Sequence, residues 1–242
     1  MLFALIVHNK AMRPGPKPSC RISTIWSPRL AYGIGLLTAD GCLINDGRHI
    51  DFTSKDRELV RTFKDCLGLT VKIGIKKSGM GNICYRAQFG DVSFYKFLQG
   101  IGLSPAKSRS ISTVLIPDKY FSDFLRGYFD GDGTSSSFYD SVFPNSYRFY
   151  IAFISASPAF IGWLRSMIKE KVGAEGSVFH YRDKDYWNLK YAKRESILLS
   201  KYMYKSKGSL FLERKYLKIQ NSLNIINQCR GGVIGKHATF RT

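Results

Sequence analysis

Two seven-residue segments of this chain have the residue types and spacing for chemistry: Gly35-Leu36-Leu37-Thr38-Ala39-Asp40-Gly41 and Gly127-Tyr128-Phe129-Asp130-Gly131-Asp132-Gly133. In each, small residues recur at every fourth position and an acidic residue follows. Ala31, Gly35 and Ala39 lead to Asp40, and Gly127 and Gly131 lead to Asp132. Residues four apart share a helix face. A small-residue stripe lets two helix backbones approach closely, which would set Asp40 and Asp132 side by side at the base of the pair. Adjacent carboxylates repel, and a divalent cation offsets the repulsion. Oxygen ligands of this kind suit Mg²⁺, with Mn²⁺ or Ca²⁺ able to occupy the same sites. Mg²⁺ between a carboxylate and a phosphate activates water and stabilises a leaving oxygen, as phosphodiester cleavage requires. Taken singly, Asp-Gly after a helix is commonly a turn and a small-residue stripe is commonly close packing. Here the combination occurs twice.

The surrounding elements read as a repeated unit. Ser27-Pro28 writes a helix start, an N-cap followed by proline at the first helical position, and the helix stops at Asp40-Gly41. A hairpin turns at Asn45-Asp46-Gly47, a sequence that favours a tight turn. An amphipathic helix is expected over 54–67, with Leu59, Phe63 and Leu67 on one face and Gly68 as its stop. Strands follow at 71–76 and 85–89, then a helix at 92–99. The order helix, hairpin, helix, hairpin, helix then recurs from Pro117-Asp118 onward. Ile50-x-Phe52-x-Ser54 answers Ile151-x-Phe153-x-Ser155 at an offset of 101, and Tyr85-x-x-x-Phe89 answers Trp187-x-x-x-Tyr191. Residues 21–103 and 117–230 are the expected halves, joined by a linker at 104–116. Residues 1–20 are expected to form a flexible arm and 231–242 a tail.

The 242 residues carry 37 Lys+Arg against 18 Asp+Glu, a net charge of +19. That excess destabilises a compact chain by self-repulsion and points to a polyanionic partner, nucleic acid first and an acidic membrane surface second. With 44% apolar and 23% charged residues the composition is globular. No run is long and apolar enough to span a bilayer, so no membrane span is expected, and nucleic acid rather than a membrane is the expected partner. The five cysteines are scattered and odd in number, which argues against a disulfide framework or a structural zinc site. An intracellular compartment (cytoplasm, nucleoid or organelle matrix) is expected.

The two helix-ending motifs resemble those of the LAGLIDADG homing endonucleases. Phe124-Leu125-Arg126-Gly127-Tyr128-Phe129-Asp130-Gly131-Asp132-Gly133 is close to family form, and Leu30 to Gly41 is recognisable with Thr38 where an acidic residue is frequent. The resemblance covers about residues 28–227 and implies the monomeric two-motif branch. It implies an α+β fold of duplicated αββαββα units with the motif helices between the halves and two antiparallel DNA-binding saddles. It also implies Asp40 and Asp132 as catalytic metal ligands, with Ala39 and Gly131 offering backbone carbonyls and Asp130 as an interface group. A basic residue after the last strand maps to Lys193, an ordinary surface lysine being the alternative. Ser54 and Ser155 map beside the active-site water, with helix capping the equal alternative.

Strand alternation sorts candidate DNA contacts from core. Val71, Ile73 and Ile75 would leave Lys72 and Lys76 outward; Tyr85, Ala87 and Phe89 would leave Arg86 and Gln88. Phe149, Ile151 and Phe153 would leave Arg148 and Tyr150, and Trp187, Leu189 and Tyr191 would leave Asn188 and Lys190. Arg48 belongs to the first hairpin. Arg, Lys, Gln and Asn read major-groove edges. The expected function is a site-specific, Mg²⁺-dependent endonuclease making a staggered cut in double-stranded DNA. The alternatives are an RNA-splicing maturase or a DNA-binding regulator of the same fold, with RNA as partner if a maturase. A basic structural RNA-binding protein would explain the charge but not the duplicated acidic motif.

Overall fold

The computed structural model describes residues 22–77, 81–206 and 208–235. The expected N-terminal arm lies outside the described residues. Helix α1 spans Pro28–Asp40, and the Ser27 side chain accepts from Leu30 N as its cap. Strands β1 (Gly41–Leu43) and β2 (His49–Ser54) follow, with Gly47 between them at φ +71°. Then come α2 (Arg57–Leu67), β3 (Gly74–Lys77), β4 (Ile83–Gly90), α3 (Val92–Gly100) and the short α4 (Lys107–Ser110). The second half is α5 (Phe121–Asp132), β5 (Gly133–Tyr139), β6 (Tyr147–Ser155), α6 (Pro158–Val172), β7 (Ser177–Tyr181), β8 (Tyr186–Tyr191), α7 (Lys193–Met203) and α8 (Glu213–Gly235).

The strands form two antiparallel four-stranded sheets, ordered β1-β2-β4-β3 and β5-β6-β8-β7. The register repeats as the sequence does. Ser54 faces Tyr85 and Ile50 faces Phe89 in the first sheet; Ser155 faces Trp187 and Ile151 faces Tyr191 in the second. In each sheet one side is buried against helices. Phe52 stacks on Phe63 of α2 with centroids 4.4 Å apart, and Phe153 lies 6.1 Å from Tyr128 of α5. One continuous core runs through both halves.

The centre of that core is the α1–α5 contact. A Cβ built on Gly35 would lie 2.2 Å from Phe124 O, and one on Gly127 would lie 2.1 Å from Tyr32 O. Only glycine permits backbones that close. The small-residue stripes therefore do join one helix from each half. The stretch between the halves is not a loose tether, since Ile111 and Val114 are buried in the same core.

Several expected boundaries move. Helix α2 starts at Arg57, capped by Asp56, because Ser54 finishes strand β2 and accepts from Asp56 N. Ser155 likewise accepts from Ser157 N, and Ser157 caps α6. A 3₁₀ turn at Asp118–Tyr120 precedes α5. Strand β3 begins at Gly74, so Val71 and Ile73 pack on the core from outside the sheet and Lys72 is not a strand residue. Ile75 keeps the expected parity, opposite Tyr85, but is 72% exposed, in an edge strand whose four residues are all exposed. Helix α8 continues to Gly235, into the expected tail; residues 236–242 lie outside the described residues.

Candidate active site

Each motif helix ends in an aspartate, and the next residue starts a strand. The chain turns because Gly41 and Gly133 are extended, with φ near −80° and ψ near 155°, and their N–H groups close the helices onto Leu37 O and Phe129 O. A Cβ on either glycine would strike its own helix at 2.5 Å or less. Asp40 and Asp132 are thus held at the C-terminal ends of two helices in contact. A Cβ built on Gly131 would meet Ala39 Cβ at 2.3 Å and Asp40 Oδ2 at 3.4 Å.

Burial pushes the Asp132 carboxyl up to about 6, and the neighbouring Asp40 charge adds to the rise. Burial also raises Asp40. Helix C-termini carry partial negative charge and worsen the position of both. Two lysines offset it, one buried (Lys107) and one half-buried (Lys215). Lys107 donates through Nζ to Gly41 O, and Lys215 donates to Phe129 O at 2.7 Å, Gly131 O at 3.0 Å and Gly133 O at 2.6 Å. Gly41 and Gly133 are equivalent in the repeat, so these lysines form a pseudo-symmetric pair. The Lys215 charge acts most strongly in lowering Asp40, and that of Lys107 in lowering Asp132. Burial depresses both ammonium groups, Lys215 to about 8.

Lys215 has its own support. Asp130 Oδ2 accepts from Tyr32 O–H across the helix interface at 2.7 Å and from Leu212 N at 2.8 Å. Arg126 donates to Leu210 O at 2.6 Å and Met203 O at 2.5 Å, with its charge on Asp123. The second motif therefore fixes the segment that delivers Lys215. Asp130 is an interface group, and Thr38 instead donates to Ile34 O in its own helix at 2.8 Å. A cavity of about 70 Å³ opens beside Asp132, lined also by Thr38, Ala39, Lys107, Tyr128 and Ser155. Polar walls and that volume suit a few waters.

A hard divalent cation fits this donor set. Two close carboxylates, destabilised by burial and by each other, gain by sharing a positive charge. Among the described residues no third His, Cys, Asp or Glu joins them. The other ligands would come from phosphate, water or backbone, as is usual for Mg²⁺. The Gly131 carbonyl already accepts from Lys215, which leaves it one lone pair for a cation.

Lys193 opens α7, half-buried, and its charge is not among those acting on either aspartate. Sequence reasoning missed Lys107 and Lys215 because each follows the last packed helix of its half rather than a strand. The one sequence signal was a lysine just after a Gly/Ser-containing turn.

The remaining candidates divide between the open faces of the two sheets. Register places Lys76, Arg86 and Gln88 together on the first, and Arg148, Tyr150, Asn188 and Lys190 together on the second. Arg48 lies in the turn before β2 and Lys72 before β3. Two of the arginines are held by carboxylates: Arg86 donates to Asp51 Oδ2 at 2.8 Å and Arg148 to Asp140 Oδ2 at 2.8 Å.

Comparison with known proteins bears on the fold. The family model for a LAGLIDADG-like domain matches residues 27–102. No curated protein matches the sequence. The I-LtrWI LAGLIDADG homing endonuclease bound to target DNA is similar in structure, with TM-score 0.56 and 10% identity over 89% of this chain and 98% of that one. Full-length DUF199/WhiA from Thermatoga maritima gives 0.54 and 14%, over 89% and 69%. I-DmoI in complex with DNA and Ca gives 0.50 and 15%, over 74% and 91%.

Proposed function

We propose, for a chain with the two-motif LAGLIDADG homing-endonuclease fold, that it is a site-specific endonuclease hydrolysing both strands of a duplex DNA target with a divalent metal. The observation that carries this reading is the pair of half-buried aspartates, Asp40 and Asp132, at the ends of touching helices with one lysine for each, Lys107 buried and Lys215 half-buried. A stability-driven core has no use for two carboxylates that raise each other's cost. A divalent cation held by Asp40 and Asp132 would supply water activation and charge stabilisation at the scissile phosphates.

The chain's own groups have distinct roles. The ammonium groups of Lys107 and Lys215, fixed on helix-end carbonyls, present positive charge where phosphate charge grows during cleavage. Ser155, in the cavity with Asp132, orients a water. Lys76, Arg86, Gln88, Arg48 and Lys72 of the first half and Arg148, Tyr150, Asn188 and Lys190 of the second contact the target on either side of the site. The monomer suffices, because one chain supplies both acids, and the two sites cut one strand each to give staggered ends.

Two lysines beside two aspartates also balance charge without a metal, which supports a second reading as a binding protein of the same fold, a regulator or a maturase. Selection of cut ends from a randomised duplex library, with and without Mg²⁺, decides between them. One recovered sequence with staggered, metal-dependent ends is expected. Tight, salt-sensitive binding without cutting would establish the second reading. Asp40→Asn and Asp132→Asn should each bind the selected target but lose about 100-fold or more of double-strand cleavage.

A further inference from the structure

The open faces of the two sheets differ in kind. On the first, β2, β4 and β3 present His49, Asp51, Thr53, Arg86, Gln88 and Lys76, and among the described residues no Phe, Tyr or Trp. The equivalent face of the second presents Phe138, Tyr150, Ile154, Phe179, Tyr181 and Tyr186. Phe138 is 51% exposed, Phe179 48% and Tyr181 46%. The cations of this second face are engaged within the protein. Lys190 Nζ lies 4.0 Å over the Tyr150 ring, and Arg148 donates to Asp140. Asn188 stands in register between Ile154 and Phe179.

A duplex major groove offers one apolar group to match such a face, the thymine methyl; the rest of each base edge is donors and acceptors. A ring pressed on a G·C edge strips water from those groups and returns no hydrogen bond, which is costly. A ring pressed on a thymine methyl covers apolar surface with apolar surface, worth about fourfold in affinity for each methyl buried. Asn188 favours the same pair, since its amide matches the edge of adenine. The rings also spread widely. Phe138 pairs opposite Arg148, while Phe179 sits opposite Asn188, which pairs with Ile154. Three strand spacings and six residue steps separate them by roughly 25 Å. At about 3.4 Å per base pair that path covers about seven pairs, so the outlying rings would meet separate thymines of one half-site.

We propose that the open face of the second sheet selects thymine-rich sequence in its half of the duplex target through the thymine methyl groups, while the first sheet reads the other half through hydrogen bonds. The target is then asymmetric in the chemistry by which its two halves are read. This rests on the duplex-DNA reading above and extends it to the composition of one half-site.

The test starts by selecting bound duplexes, rather than cut ones, from a randomised library with the full chain, so it does not depend on cleavage. The selected site is then remade with every thymine of one half, or of the other, replaced by uracil. That change removes the methyl and keeps the base pairing. Uracil in one half should cost roughly tenfold or more in affinity, and in the other less than about twofold. In Phe138→Ser/Phe179→Ser/Tyr181→Ser, the thymine and uracil forms of the sensitive half should bind within about twofold of each other. Phe138→Ser and Phe179→Ser singly, each the loss of one exposed ring, should each remove about fourfold of the difference, which keeps the test open if the triple variant fails to fold. Tolerance of uracil in both halves, an equal loss in both, or a sensitive half that stays as sensitive in the folded variants would overturn the proposal. Failure to bind any duplex would instead overturn the reading beneath it.

Discussion

Asp130 and Lys215 show how much of the site rests on single side chains. Asp130 is buried at 1% exposure, and its carboxyl is pushed up to about 6 by that burial, against 3.8 for a free side chain. The folded state therefore holds the proton more tightly than the unfolded chain. The stabilisation from protonation is full below about pH 4 and is lost as the pH rises through 6. Asp130→Asn removes it. The difference in unfolding free energy between variant and wild type should change between pH 4 and 6 and be flat above about 7, as urea titrations at stepped pH would show. Lys215 donates to three helix-end carbonyls at once. Lys215→Met should lose about 2 kcal/mol of stability in thermal unfolding, because three helix-end carbonyls lose a charged donor. At a temperature where the variant is fully folded, strand cleavage should still fall about 100-fold.

At the level of elements the decisive contact is α1 against α5. Backbone meets backbone at Gly35 and Gly127, and Tyr32 O–H reaches Asp130 between the helices. Any side chain at Gly35 must part the helices, and parting them separates Asp40 from Asp132. Gly35→Val should cost about 3 kcal/mol or more, seen as a lower unfolding midpoint, and should abolish cleavage even in the fraction that folds. Gly162 is a useful contrast, a helical glycine in α6 whose Cβ would meet nothing within 4 Å. Gly162→Ala should leave cleavage unchanged and stability equal or slightly higher.

The whole molecule is a strongly basic body whose two sheets begin at the residues after the two aspartates. That places open, cation-bearing faces on either side of the acidic pair. Lys76→Ala/Arg86→Ala should weaken duplex binding and reduce the slope of log affinity against log salt by up to about 2, measured by fluorescence anisotropy. Arg86 donates to Asp51 in the free protein, so part of its loss should appear as altered sequence preference rather than altered slope. An unchanged slope would remove the first sheet from the interface.

The repeat, the helix ends and the two aspartates were legible because each depends on local chemistry. Ser27-Pro28 caps whatever follows it, small residues four apart mark one face, and alternation of period two sets strand parity, which held even at exposed Ile75. The sequence by itself thus determined the duplicated α+β unit and the carboxylates at its centre. Only the tertiary structure decided which cations serve them. Lys107 and Lys215 are brought in by chain that passes back under the motif helices, and no local period marks such a return. Lys193, chosen by position after a strand, is the first residue of α7. The contrast between the two open faces was hidden for the same reason. Phe138, Tyr150 and Phe179 come from three strands, and their shared side exists only once the pairing register is fixed.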